Sequence, residues 1–483
     1  MIYNREMFPN TSWSVLAAIL FIFAFVNLYS LSTLTTKPAV WYDEGINIEL
    51  ARNFSEFGKL DLIVEPLVFS GRGANVGSTG YPVTVPLAGF FKAFGFGFSQ
   101  ARIYMLLWMN IFLISLFYFV KKIWNTRIAL LVLLLVVSFP SFYANGRSVM
   151  GEIPGLAFLL FALVWYFRKK NNFIIGVFLG LAVVSKPSVY AFFIPAFAAL
   201  FLLDREDFFK KIINFCAGVF LPFLGWLMIY SEAAFSSSLW RALQNHFINP
   251  YAAENFTVVG NIQNNLGLFL RSSTLIYFSF FAAVILLAVF LSRDFRKNNR
   301  AVLILAGLYA LFQLFFFLKS LGYFRYLIAV QIFIFILLPL AIKIIFERFY
   351  GDRNSKIFAA TFLIFVVSFQ TAYLFTKADI FYSNETQDAF GYLRENFEES
   401  SIGVINLPSL ASLLPPEKKF QNISTYGLRD LGRNPLSFEH EKLPGVVVFE
   451  SSLILKVADT ASLEKFYRLD KKIGRILIYA KKP

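Results

Sequence analysis

The chain has 483 residues, of which 57% are hydrophobic and only 16% are charged, and it contains 61 phenylalanines. A soluble protein could not bury that much apolar surface, so the composition indicates a membrane protein with several spans. The net charge of +15 does not indicate a nucleic-acid partner, because the lysines and arginines cluster in short connections between apolar segments. A single cysteine, Cys216, excludes an intrachain disulfide.

The hydropathy pattern predicts where the chain crosses the membrane. A window of about 19 residues gives about eleven apolar segments. They cover residues 12–31, 103–120, 128–143, 153–167, 173–185, 189–203, 212–230, 274–291, 301–318, 327–346 and 357–374. The fifth and sixth segments are short for a straight crossing and predict a tight hairpin, and the first is too long for a removed signal peptide.

The basic residues predict the orientation. Five connections on one side of this arrangement carry clusters of them: Lys121, Lys122 and Arg127; Arg168, Lys169 and Lys170; Arg205, Lys210 and Lys211; Arg293, Arg296, Lys297 and Arg300; Arg348, Arg353 and Lys356. By the positive-inside rule that side is the cytoplasm. The N-terminus is then cytoplasmic, whereas the segments 32–102 and 231–273 and the C-terminal tail are extracytoplasmic.

The first outer segment opens with VWYDEGINIELARNFSEFG at residues 40–58. Two adjacent carboxylates, Asp43 and Glu44, stand at the beginning of an amphipathic run. Its apolar residues recur at helical spacing: Ile46, Leu50, Phe54 and Phe57. The pattern predicts a helix in the membrane interface with the acidic pair at its start. Asp43 is then either a functional carboxylate or the N-cap that accepts the free amides of the first turn.

Three other polar features carry weaker signals. The glycine-rich stretch GRGANVGSTGYP at 71–82 contains Arg72 and could cradle a phosphate, but it lacks a flanking strand and helix. The second outer segment, 231–273, is polar and aromatic: it includes Trp240, His246, Asn249 and Tyr251. An outward histidine is usually solvated rather than a ligand. A third group, Asp204, Glu206 and Asp207, lies in a short basic cytoplasmic loop and reads as a solvated face.

Hydrophobicity falls after residue 375, which divides the chain into a membrane domain, 1–375, and a small outer module, 376–483. Within the module, residues 384–399 have a helical pattern, while 402–407 and 446–449 resemble strands. Residues 466–469 and 475–479 predict a closing hairpin. The fold class predicted from these observations is an α-helical polytopic membrane protein with a small extracytoplasmic α/β domain.

Four charged residues stand near the outer ends of the predicted spans. Arg147 and Glu152 lie in NGRSVMGEIPG, Lys186 lies in VVSKPS, and Arg325 lies in KSLGYFRYL between Tyr323 and Tyr326. Each charge alone is explained equally well by snorkelling at a helix end. Together with Asp43, however, they place cations and carboxylates on one side of the membrane, which suits an anionic headgroup and a general base.

The order of these motifs resembles the GT-C superfamily of polyprenyl-phosphate-dependent glycosyltransferases, in particular protein O-mannosyltransferases and the lipid A aminoarabinose transferase. The pieces that carry the resemblance are WYDEG, TGYPVTVPLAGFFKAFG leading to Ala101 and Arg102, NGRSVMGEIP, GLAVVSKPS and YFRYL. The resemblance implies a hexosyl- or pentosyltransferase with a polyprenyl-phosphate-linked sugar donor and a lipid, glycan or protein acceptor.

The resemblance also implies roles for individual residues. Asp43 is the expected general base, which deprotonates the acceptor as it attacks the anomeric carbon with inversion, and Glu44 assists it. Lys186 and Arg325 are the expected phosphate-binding cations. Arg147 and Tyr326 are predicted to bind the donor phosphate with them. Members of the superfamily differ in metal dependence, so a divalent metal ion stays open, with oxygen ligands in these motifs limited to three: Asp43, Glu44 and Glu152.

Two other classes of function fit part of the pattern. A secondary transporter or flippase of a lipid-linked or anionic substrate would have a similar number of spans, but it favours charges near the bilayer midplane and internal repeats. A noncatalytic scaffold that presents the C-terminal module would leave the outer charges without a purpose. A compact chain without long insertions predicts a bacterial or archaeal plasma (inner) membrane, where the expected partners are membrane lipids rather than nucleic acid.

Overall fold

The computed structural model describes residues 13–73, 77–203, 207–230, 257–320, 322–377, 383–424, 431–453 and 457–483. Most of the second outer segment, including Trp240, His246, Asn249 and Tyr251, lies outside these residues, as do Asp204 and Glu206 of the cytoplasmic acidic cluster.

The described part of residues 13–377 is helical apart from one short hairpin in the first outer segment. Its elements are α1 (Trp13–Ser32), α2 (Tyr42–Phe57), β1 (Ile63–Glu65), β2 (Val68–Phe69), α3 (Tyr81–Phe94), α4 (Phe98–Ile123), α5 (Thr126–Val137), α6 (Pro140–Arg147), α7 (Glu152–Phe167), α8 (Asn172–Ser185), α9 (Pro187–Tyr190), α10 (Phe193–Leu203), α11 (Phe208–Ile229), α12 (Val258–Arg271), α13 (Ser273–Leu291), α14 (Arg293–Asn298), α15 (Arg300–Lys319), the 3-10 turn Phe324–Leu327 and α16 (Ile328–Thr376).

Helix lengths confirm the prediction of a polytopic membrane protein. Among the residues described, seven helices are long and apolar enough to cross a membrane, and α5 with α6, bent by 74°, would make an eighth. The apolar helices α7, α8 and the α9–α10 pair are shorter. Each predicted apolar segment therefore corresponds to a helix or a bent helix pair. The last two segments are halves of α16, which breaks at Gly351, where φ is 73°.

Glycine allows the short helix α8 to pack closely against α11. A β-carbon on Gly176 of α8 would lie 2.1 Å from the carbonyl oxygen of Phe215, and one on Gly218 of α11 would lie 2.1 Å from that of Phe173. The backbones of α8 and α11 thus meet directly, which is how helices associate in a solvent that offers no hydrophobic driving force between them.

The C-terminal module is a mixed sheet with helices, as the sequence predicts. Its elements are α17 (Glu385–Asn396), β3 (Ile402–Ile405), α18 (Pro408–Ala411), β4 (Lys419–Asn422), β5 (Val446–Glu450), α19 (Val457–Phe466), β6 (Tyr467–Ile473) and β7 (Ile476–Lys481). The strand order is β4-β3-β5-β7-β6, with β3 parallel to β4 and β5 and with β7 antiparallel to β5 and β6. The predicted closing hairpin is β6–β7, and the apolar strands β3 and β5 lie at the centre.

Helix α2 differs from the predicted interfacial helix. The sequence shows one apolar face, but every residue from Asp43 to Ala51 is buried. Ile46 and Leu50 pack with residues of the C-terminal module, whereas Ile48 packs on the other side against α3 and α4. The polar residues of α2 are buried because they have partners in neighbouring segments, and that information is absent from helical periodicity.

Candidate active site

Asp43 faces a cation from the far end of the membrane domain. Its Oδ2 atom accepts a hydrogen bond of 2.7 Å from a terminal nitrogen of Arg325, which is 282 residues away in the sequence. The two side chains are 11% and 10% exposed, so the ion pair is largely buried. The amide of Trp41 at the helix start is bound by Glu44 at 3.3 Å. Asp43 is therefore oriented towards Arg325, and it is Glu44 that accepts the amide at the start of α2.

A rigid turn presents Arg325. The turn follows α15 through Gly322, whose φ of 66° is left-handed. Asn265 of α12 lies against Gly322 and donates to the carbonyl oxygens of Phe317, Leu318 and Ser320 at 2.6–2.9 Å. Aromatic rings then surround the guanidinium: Trp41, Tyr323 and Tyr326 lie 5.1–5.7 Å from it. These contacts fix a planar cation beside Asp43.

Glu152 and Lys186 extend this ion pair into a cluster of alternating charge. Glu152 begins α7 and is fully buried, with one oxygen 3.9 Å from Arg325 Nε and 3.8 Å from Lys186 Nζ. Lys186 also donates to the carbonyl oxygen of Ser78 at 2.8 Å. Within the residues described, neither oxygen of Glu152 has a hydrogen-bond partner. Two cations thus lie beside a buried carboxylate whose oxygens have no hydrogen-bond donor among the residues described.

Close backbone contacts position Lys186. A β-carbon on Gly80 would lie 2.0 Å from the carbonyl oxygen of Val184, and one on Gly151 would lie 2.0 Å from that of Ser185. The loops before α3 and α7 therefore press on the end of α8. Asn47 of α2 joins the same two loops, because its amide donates to Thr79 Oγ1 at 3.0 Å and to the Val149 carbonyl at 2.7 Å.

These contacts predict the effect of Gly151→Ala. We expect the added methyl group to displace the Lys186 turn and to lower the free energy of unfolding by about 1–3 kcal/mol, the usual cost of overpacking. Thermal unfolding in detergent measures it. Gly307→Ala is the matched control, since a β-carbon there has open space around it. Equal melting temperatures of the two variants would contradict the prediction.

Glu44 belongs to a separate buried ion pair. Its carboxylate accepts two hydrogen bonds from Arg102 at 3.0–3.1 Å, and both side chains are fully buried. Arg102 also donates to the carbonyl oxygens of Leu34 and Pro38, while the amide of Val149 reaches Glu44 at 3.4 Å. The pair joins α2, α4 and the ends of two loops, which gives Glu44 a positioning geometry.

Removing one partner of this pair has a predictable cost. We expect Arg102→Met to destabilise the protein by about 3–5 kcal/mol, because the Glu44 carboxylate would remain buried without its cation. The double variant with Glu44→Met should recover much of that loss, since an apolar pair leaves no uncompensated charge. Denaturant or thermal unfolding compares the two. A double variant less stable than the single one would contradict this assignment.

Arg147 and Tyr326 are placed differently by the structure. The Tyr326 ring packs on Phe316 and on Arg325, within the cluster. Arg147 is buried at the end of α6, donates to Thr33 Oγ1 at 2.5 Å, and lies over the rings of Tyr29 and Tyr143. Its contacts are thus with the end of α1 rather than with Asp43. The sequence reasoning grouped Arg147 with the others by membrane side alone.

The glycine-rich loop is organised by Asp61. This carboxylate accepts hydrogen bonds from the Leu62 amide, the Ser70 hydroxyl and the Gly71 amide at 2.5–2.7 Å. Burial raises the pKa of Asp61, and the hydrogen bonds offset part of that rise. Ser78, within the same loop, contacts Lys186 as described above. The loop therefore contributes a backbone oxygen to the charge cluster.

Known proteins share this architecture. The chain aligns with ArnT from Cupriavidus metallidurans bound to undecaprenyl phosphate at a TM-score of 0.65 and 12% identity, over 96% of this chain and 97% of that one. The archaeal oligosaccharyltransferase AglB from Archaeoglobus fulgidus, in complex with an inhibitory peptide and a dolichol-phosphate, aligns at 0.53 and 13% identity over 98% and 75%. The chain has the GT-C fold. This confirms the resemblance that the motif order indicates.

A family model agrees with the structural match over part of the chain. Residues 84–229 match the model of the dolichyl-phosphate-mannose-protein mannosyltransferase family. No curated protein sequence matches the chain. The matched region runs from α3 to α11 and includes Glu152 and Lys186, whereas Asp43 and Arg325 lie outside it.

A divalent metal does not fit this charge cluster. Asp43 and Glu152 both lie beside Arg325, and Lys186 is the second cation near Glu152. A metal ion placed between the carboxylates would be repelled by the positive charges of Arg325 and Lys186. Across the described ranges, no group of three or more His, Cys, Asp or Glu side chains lies together.

Proposed function

We propose that this protein is an integral membrane glycosyltransferase that moves a sugar from a polyprenyl-phosphate carrier to an acceptor on the extracytoplasmic face. The observation that carries the proposal is the cluster of Asp43, Arg325, Glu152 and Lys186. It offers a carboxylate beside two cations, which is what a transfer with a phosphate leaving group needs.

Asp43 acts as the general base in this proposal. It takes the proton of an acceptor hydroxyl or amine, whose lone pair forms the new bond to the anomeric carbon. The bond between that carbon and the phosphate oxygen breaks, and its electron pair remains on the phosphate. Attack from the side opposite the leaving group inverts the anomeric configuration. Arg325 and Lys186 stabilise the negative charge that develops on the departing oxygen.

The charges of the cluster suit this exchange. Two carboxylates and two cations sum to zero in the ion pairs seen here. A sugar phosphodiester adds one negative charge. When transfer makes the phosphate a dianion, Asp43 has become neutral by accepting the proton, so the total charge of the site stays the same through the reaction. The buried Glu152 remains the counter-ion of both cations.

Because Asp43 and Arg325 form an ion pair, binding of the sugar donor has a second effect. Arg325 donates to the Oδ2 atom of Asp43 at 2.7 Å, which occupies one of the two oxygens that could accept a proton. A donor phosphate competes for the same guanidinium. Donor binding therefore frees Asp43 for the acceptor, and we expect the donor to bind before the acceptor.

The solved relatives support the donor class. Bound undecaprenyl phosphate in ArnT and dolichol-phosphate in AglB are lipid phosphates of the kind proposed here, and the AglB complex also contains a peptide. For this chain the proposed acceptor is a lipid, a glycan or a protein. The positive-inside rule supports an extracytoplasmic position for the cluster and the C-terminal module, and we propose that the membrane is the plasma membrane. On that side a lipid-carried sugar is accessible and a nucleotide sugar is not.

A donor panel tests the reaction class. The purified protein is offered radiolabelled undecaprenyl- and dolichyl-phosphate monosaccharides together with membrane extract, and sugar transfer and donor hydrolysis are measured. We expect at least one donor to react, with inversion in the product. If no donor of the panel binds or reacts, the proposal is overturned, and transport of the same lipids is measured instead.

A further inference from the structure

The C-terminal module binds the helix that carries Asp43 through a buried polar network. Glu49 of α2 accepts hydrogen bonds from Lys419 at 2.6 Å and from Gln421 at 3.0 and 3.1 Å, both on strand β4. The amide of Ile63 donates to the same carboxylate at 3.0 Å. The Lys419 and Glu49 side chains are 2% and 1% exposed. Burial lowers the pKa of Lys419, and Glu49 opposes that shift.

A second set of contacts between α2 and the module lies next to Asp43. The hydroxyl of Tyr42 donates to Asn406 Oδ1 at 2.8 Å, across 364 residues of sequence. Gly45 packs on the start of α18 so closely that a β-carbon would lie 2.5 Å from the backbone of Ser409. Further along, Arg52 donates to the carbonyl oxygen of Leu414 at 2.7 Å. The module thus contacts α2 on every turn, from Tyr42 to Arg52.

The opposite side of α2 is bound by the membrane domain. Asn47 joins the helix to the loops before α3 and α7, and Glu44 joins it to Arg102 of α4. The helix is therefore held between two bodies, and its position along their interface decides how far Asp43 lies from Arg325. A displacement of about 1 Å in such a group can reduce the rate about a hundredfold.

We propose that the C-terminal module is a positioning element of the active site, which holds α2 so that Asp43 meets Arg325. This inference rests on the proposed function for its kinetic consequence. The proposal makes four residues positioning residues, because they form the contact between α2 and the module and are given no contact with the substrate: Tyr42, Gly45, Glu49 and Lys419. The sequence assigns the module no catalytic motif, and the structure gives it this part in the site.

Gly45→Ala tests the proposal with a small change. Alanine favours the helix by about 1 kcal/mol over glycine, so a loss cannot come from α2 itself. The methyl group must instead displace α18. We expect the rate at saturating donor to fall about tenfold or more, as misplacement of a reacting group predicts, with unchanged affinity for undecaprenyl phosphate. Gly89→Ala in α3 is the matched control, since that position has open space.

Hydrogen exchange provides a readout that does not depend on turnover. We expect the α2 amides to exchange faster in Gly45→Ala and in Tyr42→Phe than in the wild type, while those of α8 remain unchanged. If this occurs and no donor reacts with any form, the proposed function fails and the docking role stands. Unchanged α2 exchange, or loss of donor affinity equal to the loss of rate, would overturn the inference.

The buried ion pair gives an independent test. Lys419→Met leaves Glu49 buried without its cation, so we expect faster α2 exchange and slower transfer. The double variant Glu49→Met with Lys419→Met should restore both, because apolar residues can hold the same interface. Lys418→Met is the control, since Lys418 is the next residue along the chain and its side chain is 32% exposed. A double variant no better than Lys419→Met would contradict the positioning role.

Discussion

Asp43→Asn is expected to reduce sugar transfer by about 10²–10⁴-fold, the usual contribution of a positioned general base. The amide keeps the size of the carboxylate and can still accept a hydrogen bond from Arg325, but it cannot take the acceptor proton. The rate at saturating donor and acceptor measures the loss.

The same variant is expected to bind the lipid phosphate at least as tightly as the wild type. Asp43 holds Arg325 at 2.7 Å and places a negative charge beside the proposed phosphate position. Removing that charge releases the guanidinium and reduces repulsion. Opposite changes in affinity and rate separate a base from a binding residue. The lipid-dependent rise in melting temperature reports the affinity.

The control for Asp43→Asn is Glu56→Gln. Glu56 lies on the same helix, pairs with Arg52 at 3.0 Å, and is 36% exposed. It tests whether any loss of carboxylate charge on α2 is harmful. Asp43→Asn transfer within tenfold of the control, at equal protein stability, would remove Asp43 as the base and leave the fold assignment intact.

The sequence predicts the membrane architecture well because its signals are local. Apolar length predicts the candidate spans, and each predicted segment is helical in the structure. Strand patterns likewise locate four of the five strands of the C-terminal module, β3, β5, β6 and β7, but they do not predict β4. These features depend on neighbours a few residues apart, so periodicity and composition suffice.

The candidate site is only partly accessible to the same reasoning. Membrane sidedness selects Asp43, Glu152, Lys186 and Arg325, which the structure does bring together. It also selects Arg147, whose contacts lie at the end of α1. Sidedness gives the depth of a residue in the membrane but not its angular position around the bundle, so it cannot choose partners.

The residues that hold the site were mostly missed. Asn47 and the Glu49–Lys419 pair gave no motif, because their partners are 102 and 370 residues away in sequence. One signal was available: Glu49 and Asn47 are polar positions on a helix that is buried on both sides. A polar residue next to the apolar stripe of an amphipathic helix is ambiguous until both covering surfaces are known.

Arg325→Met is expected to have two separable effects. It removes a cation from the proposed phosphate site, so undecaprenyl phosphate should not raise the melting temperature of this variant, whereas we expect it to raise that of the wild type. It also leaves Asp43 and Glu152 with one fewer counter-ion, which should lower the free energy of unfolding by about 3–5 kcal/mol. Thermal unfolding with and without the lipid phosphate measures both.

The double variant Asp43→Asn with Arg325→Met separates stability from binding. We expect it to be more stable than Arg325→Met, since the unpaired carboxylate is gone, yet still insensitive to the lipid phosphate. Arg271→Met is the control, because Arg271 ends α12, which packs on the segment before Arg325, and its side chain is exposed. Recovery of lipid binding in the double variant would show that Arg325 serves only to neutralise Asp43. Persistent loss of binding assigns Arg325 to the phosphate, since Asp43 is then absent and the missing guanidinium alone separates the two responses.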